Sequence, residues 1–588
     1  MTLTPSQQAA VSHRGASLLV SASAGSGKTE VLTQRCVAVL SDPHRPCAIE
    51  QLLVVTFTRA AATELRVRIA GALRERATQT RDEALHEHLR RQSLLVDAAD
   101  IGTIDAWCGR IVRAHSAEAG VDAEFTTLAE EDARLLRRQV LDELFEWVYS
   151  TDDELPRAAR VWLGRHARPD DGFLRAHVRQ LNEFREHLVE VDLWRRRERE
   201  RCHLDDDALR ADAQQLLSAM LAQECARQRD QLASLSADSC GAVLADGLQR
   251  YQDVLGDWAG RLRTRPGELT TVVAEVESFD LGKPRGWSGA DAALLDDIKT
   301  RWLERQLQRR WSSADVQSML ANAPEAAGFL RTLLDLEQHY HDRLTAAKRA
   351  RAAYEFGDVL RLTLDLLGTP NANGPRRPTP IAQRLRQRYA HVLVDEYQDT
   401  SPVQVEILRL VSRDEAGQSN RFLVGDVKQS IYGFRQAEPG LFTDLADALA
   451  SGSVEGNLQH LSDNFRSHPD LLAGLNRLFA RLFHRALGGT DFTPAERLWA
   501  ARDEIANPTL DAHPRIELHV FEPPAEEPAR RDEEEESVPL ERLEREAVVA
   551  TAMTTTKARK LPTASPISAS TRAGVPRRSW APCIISMT

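Results

Sequence analysis

The chain has 588 residues, 42% of them apolar and 28% charged, an ordinary globular balance that excludes wholesale disorder, collagen and a disulfide scaffold. Its 76 basic and 87 acidic residues leave a net charge of −11, which argues against a purely electrostatic nucleic-acid coat but leaves room for a local basic track. No run reaches the ~18 apolar residues of a membrane helix, no secretory signal opens the chain, and seven dispersed cysteines without a CxxC predict reduced thiols in a cytoplasm and no structural zinc or iron–sulfur cluster.

The first predicted element is LLVSAS (18–23), a short apolar run that leads into SASAGSGKTE (21–30) and then a helical pattern. That context makes a phosphate-binding loop credible, with Ala22 where the first glycine of GxxxxGK[ST] would stand. The loop comprises Ala22, Ser23, Ala24, Gly25, Ser26 and Gly27. Gly25 and Gly27 let the backbone curl so that its N–H groups point inward, and the helix N-terminus adds its positive end. Lys28 can then reach β/γ phosphates, and the Thr29 hydroxyl can ligate Mg²⁺. The bland alternative is a flexible Gly/Ser loop.

LLVVTFT (52–58) is a second buried-strand candidate, followed by the helical AAATELRVRIAGALRERA (60–77). From about 120 to 350 the chain is rich in Leu, Arg, Glu and Ala and nearly strand-free, which predicts an all-helical insertion between two strands. Within TTLAEEDARLLRRQVLDELFEWVYS (126–150), Thr127 and Glu130 have capping-box spacing, and Leu136, Val140, Leu144 and Val148 form one apolar stripe. The Trp and Leu stripes here read as core rather than cofactor contacts.

HVLVDEYQDT (391–400) is a third strand running into two carboxylates. It places Asp395 at the carboxyl edge of the sheet, where open α/β sheets bind ligands, as the Mg²⁺-side carboxylate. Glu396 is then the natural base for a water attacking a γ-phosphate. Alone, the motif could be a surface acidic turn; beside a phosphate loop it reads as functional. After the helical SPVQVEILRLVS (401–412) comes FLVGDVKQSIYGFRQAEP (422–439), whose FLVGD (422–426) is a fourth buried-strand candidate. Its Gln429 can hydrogen-bond both the γ-phosphate and a water. Phe434 and Arg435, an aromatic beside a cation, suit stacking on a base and contact with a phosphate of single-stranded nucleic acid; the bland alternative is that Phe434 is core.

The carboxyl-terminal part has a different character. RIELHVF (515–521) alternates as a strand does, FEPPAEEPARRDEEEES (521–537) has linker composition, and ERLEREAVVATAM (541–553) begins like a helix. Thr551 to Thr588 contains no acidic residue and no hydrophobic period. Two readings stay open for it: a basic tail without fixed structure, or residues read after the natural frame was lost near 551.

The ordered motifs resemble those of superfamily 1 helicases of the UvrD/RecB kind. LTPSQQAAV (3–11) resembles the family's adenine-reading glutamine segment, SASAGSGKT motif I and LLVVTFTRAAATELRVRI (52–69) motif Ia. GTIDAWCGRIV (102–112) resembles the motif after it, VLVDEYQDTS motif II, GDVKQSIYGFRQAEP motif III and LSDNFRSHPDLL (461–472) motif IV. KQSIYGFRQAEP and YEFGDVLRLTLDLL (354–367) are most similar to the AddA-like helicase–nuclease subunits. The resemblance covers about residues 1 to 550.

The resemblance implies an α/β fold: a RecA-like P-loop NTPase domain with a parallel sheet, interrupted by a large all-helical insertion like the family's domain 1B. It implies the following division: 1–119 and 351–470 as the two parts of domain 1A, 120–350 as the insertion, 471–550 as the incomplete start of domain 2A, and 551–588 as the tail. By carry-over, Gln7 reads the adenine edge, Phe465 stacks on adenine, Arg466 is an arginine finger and Arg35 lies near the nucleotide. Phe57, Thr58, Arg59, Thr103, Phe434 and Arg435 would line a single-stranded DNA track; the family often carries His where this chain has Asp105. The implied function is an ATP-dependent 3′→5′ DNA helicase of recombination and double-strand-break repair. It would use ATP and Mg²⁺, act on single-stranded DNA and 3′-tailed duplex, pair with an AddB-like protein, and lie in the cytoplasm, not on a membrane. Nothing after Arg466 resembles the remaining motifs of domain 2A or the nuclease. The chain is therefore expected to be an N-terminal portion that binds ATP better than it hydrolyses it. The alternative is a non-catalytic ATP- and single-stranded-DNA-binding fragment of a disrupted helicase gene. A P-loop kinase or transporter ATPase leaves Phe434–Arg435 and the NFRS segment unexplained.

Overall fold

Short runs of Val, Leu and Ile cannot bury both faces of a strand except between two layers of helices, and such a sandwich is what forms. The computed structural model describes residues 3–44, 47–165, 170–202, 206–234, 242–265, 267–280, 303, 307–308, 311–371, 374–415, 417–431, 433, 437–483, 491–501, 516–520 and 583–587. They belong to two compact units, Met1–Leu461 with Phe483–Glu496, and Ser462–Leu482 with Arg497–Thr588.

In the first unit, β1 (Leu18–Ala22), β2 (Leu52–Thr56), β3 (Asp100–Thr103), β4 (His391–Val394), β5 (Arg421–Gly425) and β6 (Asn457–Leu461) form one sheet in the order β6-β1-β5-β4-β2-β3. Every pairing is parallel. Side chains alternate between the two faces, as the pleat requires. Leu19, Leu53, Val55, Val392, Val394 and Leu423 enter one core with helices Ile104–Ala114, Phe356–Leu367 and Pro402–Val411. Leu18, Val20, Leu52, Val54, Leu393, Phe422 and Val424 enter the other, packed against α2 (Lys28–Leu40) and α3 (Arg59–Gln79). The helix before β1, α1 (Pro5–Ser12), is capped by Thr4 in a reciprocal capping box with Gln7.

The four strands expected from sequence are β1, β2, β4 and β5. The two not expected, β3 and β6, are the edges of the sheet, where a strand can be short and polar. β3 opens with an acid: Asp100 is buried, accepts from Tyr389 Oη at 2.8 Å and Arg110 at 2.7 Å, and forms an ion pair with Arg388 at 2.9 Å.

Between β3 and β4 the chain runs through helices that hold two separate cores. One gathers Leu136, Val140, Leu144, Phe145, Val148, Leu174, Leu336 and Tyr340; the other gathers Leu217, Leu221, Tyr251, Leu255, Trp258 and Val272. The 38-residue helix Ser313–Ala350 contributes Val316 to the second core and Leu333 to Leu344 to the first. The predicted stripe is buried throughout. The predicted capping box is not made. Thr127 is committed to a parallel bridge with Tyr354, and Glu130 to an ion pair with Arg137 at 2.9 Å, so the helix Glu130–Ser150 starts after Ala129 without a side-chain cap. That bridge, Thr126–Thr127 against Ala353–Tyr354, brings the two ends of the helical segment together.

In the second unit, Asp463–Asn464 pairs with Trp499–Ala500, and the expected strand is Ile516–Val520. It pairs antiparallel with Cys583–Met587, five residues of the tail for which the sequence leaves two readings open. The linker at 521–537 and the helix at 541–553 lie outside the described residues.

Candidate functional site

All six strands of this sheet point the same way, so the loops after them meet at one edge. After β1, Ser23 N–H donates to the Leu461 carbonyl at 3.1 Å, and Ser26 N–H to the Ser23 carbonyl at 3.1 Å. Gly25 and Gly27 sit at φ 73° and 81°, left-handed values that a side chain would disfavour. Gly27 has a second reason to be glycine: a Cβ there would lie 3.0 Å from Gln7 Nε2. Gln7 is buried, donating from Nε2 to the Ser26 carbonyl at 2.8 Å and accepting at Oε1 from Thr4 N–H at 3.0 Å. It ties α1 to the loop. Lys28 and Thr29 open α2 behind Gly27, so the first N–H groups of that helix and its dipole face the loop. Arg35, farther along α2, is buried and donates to the carbonyls of Val11 (2.9 Å) and His13, with its guanidinium over the Phe422 ring. These partners make it an anchor for α1 rather than a group reaching the loop.

Asp395 directly follows β4, its N–H donating to the Val55 carbonyl at 2.9 Å. Its carboxyl is buried, and burial followed by the neighbouring Glu396 pushes it up to about 6, with Lys28 opposing. Glu396 adopts φ 52°, one of two non-glycine residues in the left-handed region among those described, a strained conformation of the kind that collects at functional sites. The strain turns its carboxylate toward Lys28, whose Nζ lies 3.6 Å from Glu396 Oε2 and donates to Gln429 Oε1 at 3.1 Å. Gln429 Nε2 in turn donates to Asp426 Oδ2 at 2.7 Å, and Asp426 N–H donates to Gln398 Oε1 at 2.9 Å. Gln398 Nε2 completes the ring by donating to Glu396 Oε2 at 2.7 Å. Lys28, Glu396, Gln398, Asp426 and Gln429 thus close a circuit across β1, β4 and β5. Asp399, also held by Gln398 Nε2, is pushed up to about 6 by burial.

No described group of three His, Cys, Asp or Glu residues could hold a metal alone. A sparse set, one buried carboxylate at Asp395 and the Thr29 hydroxyl, fits Mg²⁺, which keeps waters and substrate phosphates as its other ligands. The incomplete compensation of Asp395 by Lys28 is what a further cation would relieve.

Phe57 and Thr58 follow β2, and Arg59 starts α3. The Thr58 hydroxyl caps α3 by accepting from Ala61 N–H at 3.1 Å. Thr103, at the end of β3, caps the next helix by accepting from Ala106 N–H at 3.2 Å. Thr58 and Arg59 are exposed, whereas Thr103 is buried. These four residues therefore share the carboxyl edge of the sheet, on the two strands beyond β4. Phe434 and Arg435 lie outside the described residues. Phe465 and Arg466 belong to the second unit, where the Asn464 side chain accepts from Arg466 N–H at 2.8 Å.

Sequence patterns assign no role to Gln398 and Asp426, although both lie within the quoted motifs. Their partners are one loop away, 28 residues apart, which no local pattern reveals.

Residues 3–450 match the family model of the UvrD/REP helicase N-terminal domain. The chain is 32% identical over 561 residues to an ATP-dependent helicase/nuclease subunit of Desulfitobacterium hafniense (strain Y51), covering 89% of this chain and 39% of that protein. It is 33% identical to the protein of the same name from Desulforudis audaxviator (87% and 42%) and 34% identical to that of Anoxybacillus flavithermus (82% and 41%). The chain spans about two-fifths of the length of these curated relatives.

Proposed function

The chain belongs to the UvrD/REP helicase family, and on that premise we propose that it is the ATP-binding motor portion of an ATP-dependent DNA helicase of the AddA type. The observation that supports this best is the circuit joining Lys28, Glu396, Gln398, Asp426 and Gln429, because it gathers a phosphate-reaching cation, a carboxylate base and a glutamine at one sheet edge.

In this reading the loop N–H groups and Lys28 bind the β/γ phosphates of ATP, and Lys28 leaves its contacts with Glu396 and Gln429 to do so. Glu396 is then free to accept a proton from the attacking water, and Gln429, held by Asp426, orients that water against the γ-phosphate. Thr29 and Asp395 would hold Mg²⁺, which would supply positive charge against the phosphates. Gln7 reads the adenine edge, Phe465 stacks on it and Arg466 supplies the finger. Phe57, Thr58, Arg59, Thr103, Phe434 and Arg435 carry single-stranded DNA by stacking and phosphate contacts. The finer proposals are 3′→5′ polarity, action on 3′-tailed duplex in recombination and double-strand-break repair, an AddB-like partner, a cytoplasmic location, and a division into domain 1A, its helical insertion 1B and the start of 2A.

The test is phosphate release from ATP by the 588-residue chain with Mg²⁺, with and without oligo(dT). Turnover that rises with oligo(dT) and is lost in Glu396→Gln supports the motor. Binding of both ligands without turnover supports the binding-fragment alternative. Unwinding of 3′-tailed but not 5′-tailed duplex supports the polarity.

A further inference from the structure

The segment after β5 opens with a carboxylate whose two oxygens are divided between neighbours. Asp426 is 1% exposed. Its Oδ2 accepts from Gln429 Nε2 at 2.7 Å, and its Oδ1 meets Lys428 twice, through the N–H at 3.2 Å and the ammonium at 2.9 Å. The Lys428 side chain is 8% exposed, and its Nζ lies 3.7 Å from Oε1 of Glu496, whose side chain is 11% exposed. Glu496 ends the turn Pro494–Glu496, which belongs to the first unit although it follows residues of the second in the chain. Burial pushes the Glu496 carboxyl above its ordinary value, and Lys428 opposes.

These contacts decide which way the Gln429 amide faces. A carboxylate only accepts, so Asp426 takes the Nε2 end, and Oε1 is turned to Lys28, which donates to it at 3.1 Å. The γ-phosphate reading needs that orientation: the second N–H of the amide can serve a phosphate oxygen, and Oε1 can serve a water once Lys28 turns to phosphate. The orientation lasts only while Asp426 remains an anion in a place closed to water. The N–H of Lys428 helps to orient the carboxylate but carries no full charge; the ammonium does. A buried carboxylate that loses its cation recruits a proton or another cation. A proton on Oδ2 would make it a donor and turn the amide around. A shift of Lys28 toward Asp426 would take it away from phosphate.

We propose that Lys428 and Glu496 are positioning residues for γ-phosphate recognition: Lys428 holds Asp426 as the anion that orients the Gln429 amide, and Glu496 holds Lys428 in place. The inference rests on the reading of Gln429 as a γ-phosphate contact. It adds to that reading two residues that act through Asp426 and touch neither ATP nor the attacking water.

The test is equilibrium binding of a fluorescent non-hydrolysable ATP analogue and of fluorescent ADP, each with Mg²⁺, to the 588-residue chain and its variants. Gln429→Ala sets the scale: losing its contact should lower affinity for the triphosphate by about 10-fold and leave that for ADP within about 2-fold. Lys428→Met should reproduce the selective loss, by at least about 5-fold, and should add less than about 2-fold to Gln429→Ala, because both act on one amide. Glu496→Gln should cost the triphosphate about 2- to 5-fold, again without ADP following, since it loosens Lys428 without removing it. A variant that folds poorly lowers the bound fraction for both nucleotides in parallel and leaves the ratio of their affinities intact. Unchanged triphosphate affinity in Lys428→Met and Glu496→Gln, equal losses for the two nucleotides, or losses that add fully to Gln429→Ala would overturn the proposal. Unchanged triphosphate affinity in Gln429→Ala, or a wild type that binds neither nucleotide, would instead remove the reading on which it rests.

Discussion

Glu396 holds a left-handed backbone at the end of a strand, and its carboxylate is shared between Lys28 and Gln398. Exchanging it for glutamine keeps the shape and an acceptor for Gln398 but removes the base. Glu396→Gln should spare Mg·ATP binding and lower hydrolysis by about 10²–10⁴-fold, read as nucleotide affinity beside phosphate release. Asp395→Asn should act on a different variable. Losing a buried anionic ligand, it should raise the Mg²⁺ concentration needed for nucleotide binding, which a Mg²⁺ titration at fixed ATP analogue measures. Residues such as Lys28, Thr29, Asp395 and Glu396 are legible in the sequence because strand, loop and helix follow each other there within about ten residues. Gln398 and Asp426 are not, because their hydrogen bonds join loops that only the sheet order brings together. Thr127 misleads for a similar reason: its capping-box spacing is local, but a bridge to Tyr354 claims it.

Apolar runs between turn signals carry the element scale. They locate the four inner strands, which must be hydrophobic on both faces, but not β3 and β6, which as edges need not be. The helical segment is legible from its stripe, but its division into two cores is not, since both share the helix Ser313–Ala350. Leu144 is fully buried in the first core. Leu144→Ala should destabilise it by about 2–5 kcal/mol, seen as a lower denaturation midpoint. At the base of this segment Lys348 is buried against Glu355 (2.9 Å) and Asp358 (2.7 Å), and Arg137 reaches Glu355 at 3.3 Å. Glu186 joins them. Burial, then Glu355, with a smaller push from Asp358, raises it to about 7, while Lys348 and Arg137 oppose. The sign follows from linkage. Below the ordinary value of 4.5 the group is neutral in folded and unfolded chains alike; as pH rises toward 7 only the unfolded chain ionises, and the folded state loses stability until both are charged. Glu186→Gln should therefore stabilise the chain at about pH 8, by on the order of 1–3 kcal/mol, and much less at about pH 5. Denaturation at the two pH values checks the difference; equal gains at both would show that Glu186 is not held near neutral charge by its surroundings.

For the molecule as a whole, similarity extends over more than four-fifths of this chain but about two-fifths of each relative, so the motor reading concerns the part that is shared. In that reading one sheet edge serves two ligands: β1, β4 and β5 present the groups for phosphate, and β2 and β3 present Phe57, Arg59 and Thr103. On this reading everything at that edge depends on the loop after β1 being a Mg·ATP site that works through Lys28. Equilibrium binding of a fluorescent ATP analogue with Mg²⁺, compared between the 588-residue chain and Lys28→Ala, tests it most directly. Removing the Lys28 ammonium from the β/γ phosphates deletes a charge-assisted contact worth about 1.5–3 kcal/mol, so affinity should fall by roughly 10- to 150-fold. Equal affinity in the two proteins would show that Lys28 does not hold the nucleotide's phosphates.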